Sequence, residues 1–172
     1  MGANEQGANA TTGRWLTIPR TLSFVRNGDA VLLMKRAAHK RIFPNRYNGV
    51  GGHIERDEDV FAGAWREIQE ETGLAARDLR LRAVYNIDAG EVTGIMLFVF
   101  TAYSDSRATS TDTDEGTLHW IDRRDLLSLD LVEDLPIILP RILDMPDDVP
   151  PLFVHASYDA ADQLILRFAD AD

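Results

Sequence analysis

The stretch from Gly52 to Leu74 constrains this chain more than any other: Gly52, five residues, Glu58, seven residues, then Arg66-Glu67-Ile68-Gln69-Glu70-Glu71-Thr72-Gly73-Leu74. Its second half carries the marks of a helix. Asp57 is a good N-cap, Glu58 and Asp59 suit the positive end of the helix dipole, and Gly73 is a natural stop, so a helix is predicted over Glu58 to Thr72. At about 100° per residue, Val60, Phe61, Ala64, Trp65 and Ile68 fall in one sector, with Glu67, Glu70 and Glu71 in another about 120° round. One face should pack and the other present carboxylates.

Glu67 and Glu71 are spaced i, i+4, and Glu70 lies i+3 from Glu67, so like charges crowd one turn. A divalent cation reverses that cost. Mg²⁺ suits such a site because it takes one or a few carboxylates, keeps several waters and fills its other positions with substrate phosphates; Mn²⁺ accepts the same oxygen ligands. A solvated helix face is the alternative for a bare Glu-Glu pair. For the full pattern, at about 5 to 7% usage per fixed residue type, chance alone would produce a match in roughly one chain in ten million.

The pattern resembles the signature of the Nudix hydrolases at every specified position. Outside it, Leu32-Leu33-Met34-Lys35-Arg36 and Asn45-Arg46-Tyr47-Asn48-Gly49-Val50-Gly51-Gly52-His53-Ile54-Glu55 resemble the MutT-type branch, which hydrolyses oxidised purine nucleoside triphosphates. The similarity covers most of residues 17 to 168. It implies an α/β/α sandwich with a mixed sheet, the Gly51 carbonyl among the metal ligands, Asn48 at the base, and one further carboxylate from a loop. Glu115 is the candidate for that carboxylate and Asp114 its alternate.

Length and composition bound the rest. At 172 residues, 45% hydrophobic, the chain suits one sizeable core rather than two, so residues 15–172 are expected to form a single domain. A net charge of -10 argues against coating a nucleic-acid polymer, while leaving a small nucleotide open as ligand. Without cysteine there is no disulfide framework, thiol nucleophile or thiolate zinc site. No apolar run approaches a membrane span, and Met1 to Arg14 does not read as a signal peptide, so a cytoplasmic enzyme is expected. Residues 1–14, poor in large apolar side chains, are expected to be disordered. A monomer and a homodimer are equally open.

Along the chain, Leu16 to Arg26 and Ala30 to Arg36 read as a hairpin about Asn27-Gly28-Asp29. Lys35, Arg36, His39, Lys40, Arg41 and Arg46 gather in one stretch, either as contacts for a triphosphate tail or as solvated loop cations. Asn48 to Gly52 is no dinucleotide fingerprint, because Ile54 stands where a third glycine belongs. Asn48 can equally satisfy its own turn. His53-x-Glu55 lacks the cysteines of a zinc deaminase, and the other histidines lack zinc spacing. Leu79 to Ile87 and Gly94 to Ala102 read as strands, with Ile95 to Phe100 a central one covered on both faces. Ser104 to Asp114 reads as a loop before a strand at Thr117 to Ile121. Leu131 to Met145 should be a second helix shortened or kinked at Pro140, and Pro150 to Tyr158 with Gln163 to Phe168 a last hairpin. Glu133 and Asp134 fall where some of the relatives read a purine edge, and helix capping is the competing role. Leu131 and Ile137 stand where those relatives offer a stacking aromatic ring.

Phosphoanhydride hydrolysis needs neutralised phosphates, an oriented water and a base. Glu67 and Glu71 are the expected metal ligands. Glu70 is a ligand to a second ion or the general base, a role for which Glu115 competes. Arg66 should orient Glu70, and Glu58 should support the helix start and Arg66, with Gly52 and Gly73 structural. The expected reaction is hydrolysis of a nucleoside diphosphate linked to another group, foremost a nucleoside triphosphate to monophosphate and pyrophosphate. ADP-ribose or dinucleoside polyphosphate hydrolysis and a non-catalytic nucleotide-binding module are the alternatives.

Overall fold

A computed structural model describes residues 2–8, 11–110 and 114–169. Met1, Asn9 and Ala10 of the N-terminal stretch, and Asp112 and Thr113 of the acidic loop, lie outside the described residues. Within the N-terminal stretch, Ala3–Gln6 forms one 3₁₀ turn, and Glu5 to Gly7 are exposed.

β1 (Leu16–Asn27) and β2 (Ala30–Arg36) form the predicted hairpin, with Asn27 opposite Ala30 and Gly28 at φ +60° in the two-residue turn. The strands separate after two residue pairs. Into the gap comes the segment after β3 (Tyr47–Asn48), which bridges β1 through Ser23–Val50 and Arg20–His53. The Thr21 N–H donates to the Gly52 carbonyl (2.9 Å) and the Ser23 N–H to that of Val50 (2.7 Å). This long-range pairing seats the two glycines beneath the next element.

That element is α1 (Val60–Thr72). Its N-cap is Asp59, two residues later than the predicted Asp57, and Asp59 Oδ1 accepts from Phe61 (2.8 Å) and Ala62 (3.0 Å). The start moves because Glu58 turns its carboxylate to the Glu55 N–H and to Arg66, outside the helix. Gly73 ends α1 in the left-handed region, as predicted. The buried face is narrower than expected: Gly63, Ala64, Ile68 and Thr72 pack, while Phe61 and Trp65 stay exposed, Phe61 meeting Phe100 edge-on.

β4 (Ala76–Ile87) and β5 (Thr93–Ser104) pair antiparallel, and β5 runs parallel to β1 from Leu16–Thr93 to Arg26–Tyr103. β6 (Gly116–Asp122) pairs with β2. α2 (Leu135–Leu143) begins later than expected, because Leu131 and Val132 are drawn into pairing with Tyr47. Pro136 sits in its first turn. Pro140 lies inside α2 on the exposed side, while Leu135, Ile138, Leu139 and Ile142 bury the other. β7 (Leu152–Tyr158) and β8 (Leu164–Phe168) close the sheet as a hairpin, β7 parallel to β4.

The order is β3-β2-β1-β5-β4-β7-β8, with β6 on β2, so the sheet is mixed. Alternation sends Val25, Leu32, Met34, Phe98 and Phe100 to the α1 face, and Phe24, Val31, Leu33, Tyr85 and Val99 to the α2 face. The result is the expected α/β/α sandwich. β5 is central, but Ile95 and Leu97 are only half-buried, because beside them the α2 face opens into a cavity. Among the described residues no helix is long and apolar enough to cross a membrane.

Candidate active site

The site begins where the Gly51-Gly52 backbone passes under α1. Gly51 has φ +152°, and a Cβ there would lie 2.2 Å from the Thr21 carbonyl oxygen, so only glycine allows the pairing with β1. A Cβ on Gly52 would lie 2.5 Å from Glu67 Oε1. That missing methyl is the space the Glu67 carboxylate occupies.

Arg66 organises the acidic residues around it. Its Nε and one terminal nitrogen grip both oxygens of Glu58 (3.0 and 2.7 Å), and the same terminal nitrogen reaches the His53 carbonyl (3.0 Å). The other terminal nitrogen donates to Glu67 Oε1 (2.8 Å) and Glu70 Oε2 (3.0 Å). These bonds raise the Arg66 pKa and hold Glu58 below the usual carboxylate value. Glu58 therefore supports Arg66 as expected, although it does so from the turn before the helix.

Glu71 has a different environment. Gly51 N–H donates to its Oε2 (2.8 Å), and no cationic side chain pairs with it among the described residues. Burial, with Glu67 and Glu115 adding negative potential, outweighs the Gly51 bond and Arg36 and pushes Glu71 up to about 7. Among the described residues, no three His, Asp or Glu side chains already surround a common point. The donor set nevertheless fits a hard divalent ion: Glu67, Glu71 and the Gly51 carbonyl are oxygens, and Mg²⁺ needs only one or two carboxylates beside water and phosphate.

These groups line one end of a cavity of about 550 Å³. Of the residues anticipated from sequence, Arg36, Asn48, Gly51, Gly52, Glu67, Glu71 and Glu115 all face it. Arg36 Nε donates to the Ile42 carbonyl (2.9 Å), with its terminal nitrogen 3.6 Å from Glu115. Glu115 also accepts from Lys40 (2.7 Å). Asp114 binds Lys40 too but does not line the cavity, so Glu115 is the loop carboxylate that reaches it. Asn48 Oδ1 accepts from the N–H of Gly49 (2.9 Å), the local role, while the residue also lines the cavity.

Four anticipated residues lie elsewhere. Lys35 alternates with Arg36 to the opposite face of β2 and sits over the Tyr47 ring (5.7 Å). Glu70 holds Arg66 but is exposed. Glu133 faces Arg46 (3.7 Å). Asp134 occupies the N-cap position of α2 without capping it. Its carboxyl instead lies beside the enclosed Tyr85 hydroxyl, and burial pushes it up to about 6. Tyr85 is two residues from Ile87, on the same sheet face as the cavity.

The cavity's other end was not anticipated. Leu22, Ile87, Ile95 and Leu97 form an apolar floor, Phe43 a wall, and Arg20 stands between that floor and His53. Period-two alternation along β1 puts Arg20 with Leu22 and Phe24, but only the parallel pairing with β5 shows which face opens.

Residues 17–142 match the NUDIX domain as a family. A MutT protein from Bacillus halodurans superposes with a TM-score of 0.74 over 88% of this chain and 97% of that one, at 24% identity. The nucleoside triphosphatase NudI of Enterobacter sp. is 27% identical over 63% of this chain and 84% of its own length. The m7GpppN-mRNA hydrolase NUDT17 of Xenopus laevis is 43% identical, but over only 28% of this chain and 17% of its own length. With well over half its residues inside the matched domain, its helix carrying the acidic signature and its sheet in the same sandwich, this chain belongs to the Nudix family.

Proposed function

We propose that this chain is a Mg²⁺-dependent hydrolase, with Mn²⁺ a possible substitute, acting on a purine nucleoside triphosphate, ordinary or oxidised, and releasing monophosphate and pyrophosphate. One observation carries the reading: a single cavity of about 550 Å³ is lined both by Glu67, Glu71 and Gly51 and by the apolar side chains Leu22, Ile87, Ile95 and Leu97. The similarity to the nucleoside triphosphatase NudI, at 27% identity over 84% of its length, supports a triphosphate substrate.

Bound at Glu67, Glu71 and Gly51, the divalent ion would supply neutralising charge for the phosphates. The chain's own residues do the rest. Leu22, Ile87, Ile95 and Leu97 take the apolar face of the base, and Asn48, which lines the same cavity, meets its polar edge. Hydrolysis splits the anhydride between the first two phosphates: a water oxygen adds to one phosphorus, the bridging oxygen leaves with the other, and the water's proton passes to a carboxylate. Glu70, held by Arg66 and open to solvent, is the proposed base. Glu115, which lines the cavity and accepts from Lys40, competes for that role.

The test is pyrophosphate and phosphate release with Mg²⁺ across ordinary and 8-oxo nucleoside triphosphates, ADP-ribose and dinucleoside polyphosphates. Glu70→Gln and Glu115→Gln serve as controls. Pyrophosphate from a purine triphosphate, lost in Glu70→Gln, is expected. Faster cleavage of ADP-ribose than of every triphosphate would replace the substrate, and wild-type turnover in Glu70→Gln would move the base to Glu115.

A further inference from the structure

Arg20 is the one half-buried arginine among the described residues with no hydrogen bond, ion pair or ring contact. The other half-buried arginines are all held: Arg26 by the Tyr103 hydroxyl (2.9 Å), Arg36 by the Ile42 carbonyl (2.9 Å), Arg66 by carboxylates, Arg46 by Glu133 (3.7 Å) and Arg123 by Asp144. Arg20 Nε is fully enclosed and unpartnered. A second guanidinium, Arg36, lines the same cavity, and its charge together with burial holds Arg20 below its usual pKa. Arg36 has Glu115 as a partner, whereas Arg20, with its Nε stripped of water, has no anion of its own, so an anionic group entering the cavity would supply what Arg20 lacks.

Register locates that anion. Arg20 is opposite Leu97 on β5 and bridges His53, while the next residue, Thr21, holds the Gly52 carbonyl. Its side chain thus stands at the border between the acidic end and the apolar floor. We infer that Arg20 is a substrate-positioning residue which, with Arg36, grips the phosphate nearest the nucleoside. The inference rests on the proposed nucleotide reading, and it makes Arg20 a determinant of binding rather than of the chemical step.

Arg20→Gln and Arg20→Lys test it through steady-state kinetics on the best triphosphate, and through calorimetric titration with AMP, GMP and inorganic pyrophosphate. For Arg20→Gln, KM should rise about 10- to 100-fold with kcat within about threefold, the loss of a charge-assisted bond. Monophosphate affinity should fall by a similar factor, pyrophosphate affinity less, and Arg20→Lys should recover part of both. Melting temperature should hold or rise in Arg20→Gln, because an unpaired charge is removed, whereas a structural arginine would lower it. KM and monophosphate affinity within about twofold of wild type would overturn the inference even with triphosphate turnover intact. If no nucleotide is turned over, the proposed function fails separately, and the titrations still decide: Arg20-dependent monophosphate binding supports the grip, and its absence overturns it.

Discussion

Arg66 and Glu71 sit five residues apart on α1 and show opposite solutions to holding a charge. Arg66 donates to three carboxylates and a carbonyl, each at 3.0 Å or less. Glu71 is more buried and has one backbone N–H, with negative neighbours that push it up to about 7. The saturated group is scaffold: it fixes Glu67 and Glu70 and ties the helix to the loop before it. The unsatisfied one marks where something from outside the chain belongs, because a buried carboxylate beside like charges is stable only when neutral or joined by a cation.

The comparison breaks most severely at the carboxylates themselves. Glu67→Gln and Glu71→Gln should each lower kcat/KM by about 10³-fold with little change in fold, since several kcal/mol of charge stabilisation is lost with the ion. Steady-state assays and far-UV circular dichroism check both halves of the statement.

Gly52→Ala is the next strongest test. Its methyl would fall 2.5 Å from Glu67 Oε1, a contact relieved by moving that flexible carboxylate. Turnover should drop about 10²-fold, the scale for misplacing a group by 1 Å, while the melting temperature barely shifts.

Arg66→Lys keeps the charge and removes the fork that spans Glu58, Glu67 and Glu70. Mg²⁺ affinity or activity should fall about 10- to 100-fold, the scale for losing a ligand's supporting partner, as measured by metal titration of turnover.

The smallest effect is in stability. Glu71 titrates near 7 in the fold against 4.5 ordinarily, so the folded chain binds more protons between those values. Its neutral form contributes stability that is complete below the lower value and lost as pH rises through the upper one. Without divalent metal, the melting temperature of wild type should fall from about pH 5 to about pH 8 more than that of Glu71→Gln. Asp134, raised to about 6, contributes a slope of the same sign to both proteins, so their difference isolates Glu71. Saturating Mg²⁺ should flatten the wild-type curve. An unchanged difference with the metal present would place the ion elsewhere.

The acidic helix was legible because its information is local. Carboxylates three and four apart share a face wherever the helix packs, and Gly73 stops it through its own backbone freedom. Where the helices differ from expectation, the cause lies in a partner outside the helix. Glu58 belongs to Arg66, so α1 starts at Val60, and Tyr47 claims Leu131 and Val132, so α2 starts at Leu135. Phe61 and Trp65 lie on the apolar sector, but the sheet beneath α1 buries only Gly63, Ala64, Ile68 and Thr72, and Phe61 reaches Phe100 from an exposed position.

By itself, then, the sequence determined the helix with its carboxylates, the β1–β2 hairpin, the closing hairpin and the family, all from residues close together in the chain. Only the tertiary structure decided that Lys35 turns away while Arg36 faces the site, that Asp134 leaves its cap for Tyr85, and that Arg20 stands unpaired beside an apolar floor. The physical reason is register. Which face of a strand meets solvent, helix or cavity depends on the strands beside it, and here those neighbours pair β1 with β5 and with Val50 and His53, across distances that no local pattern encodes.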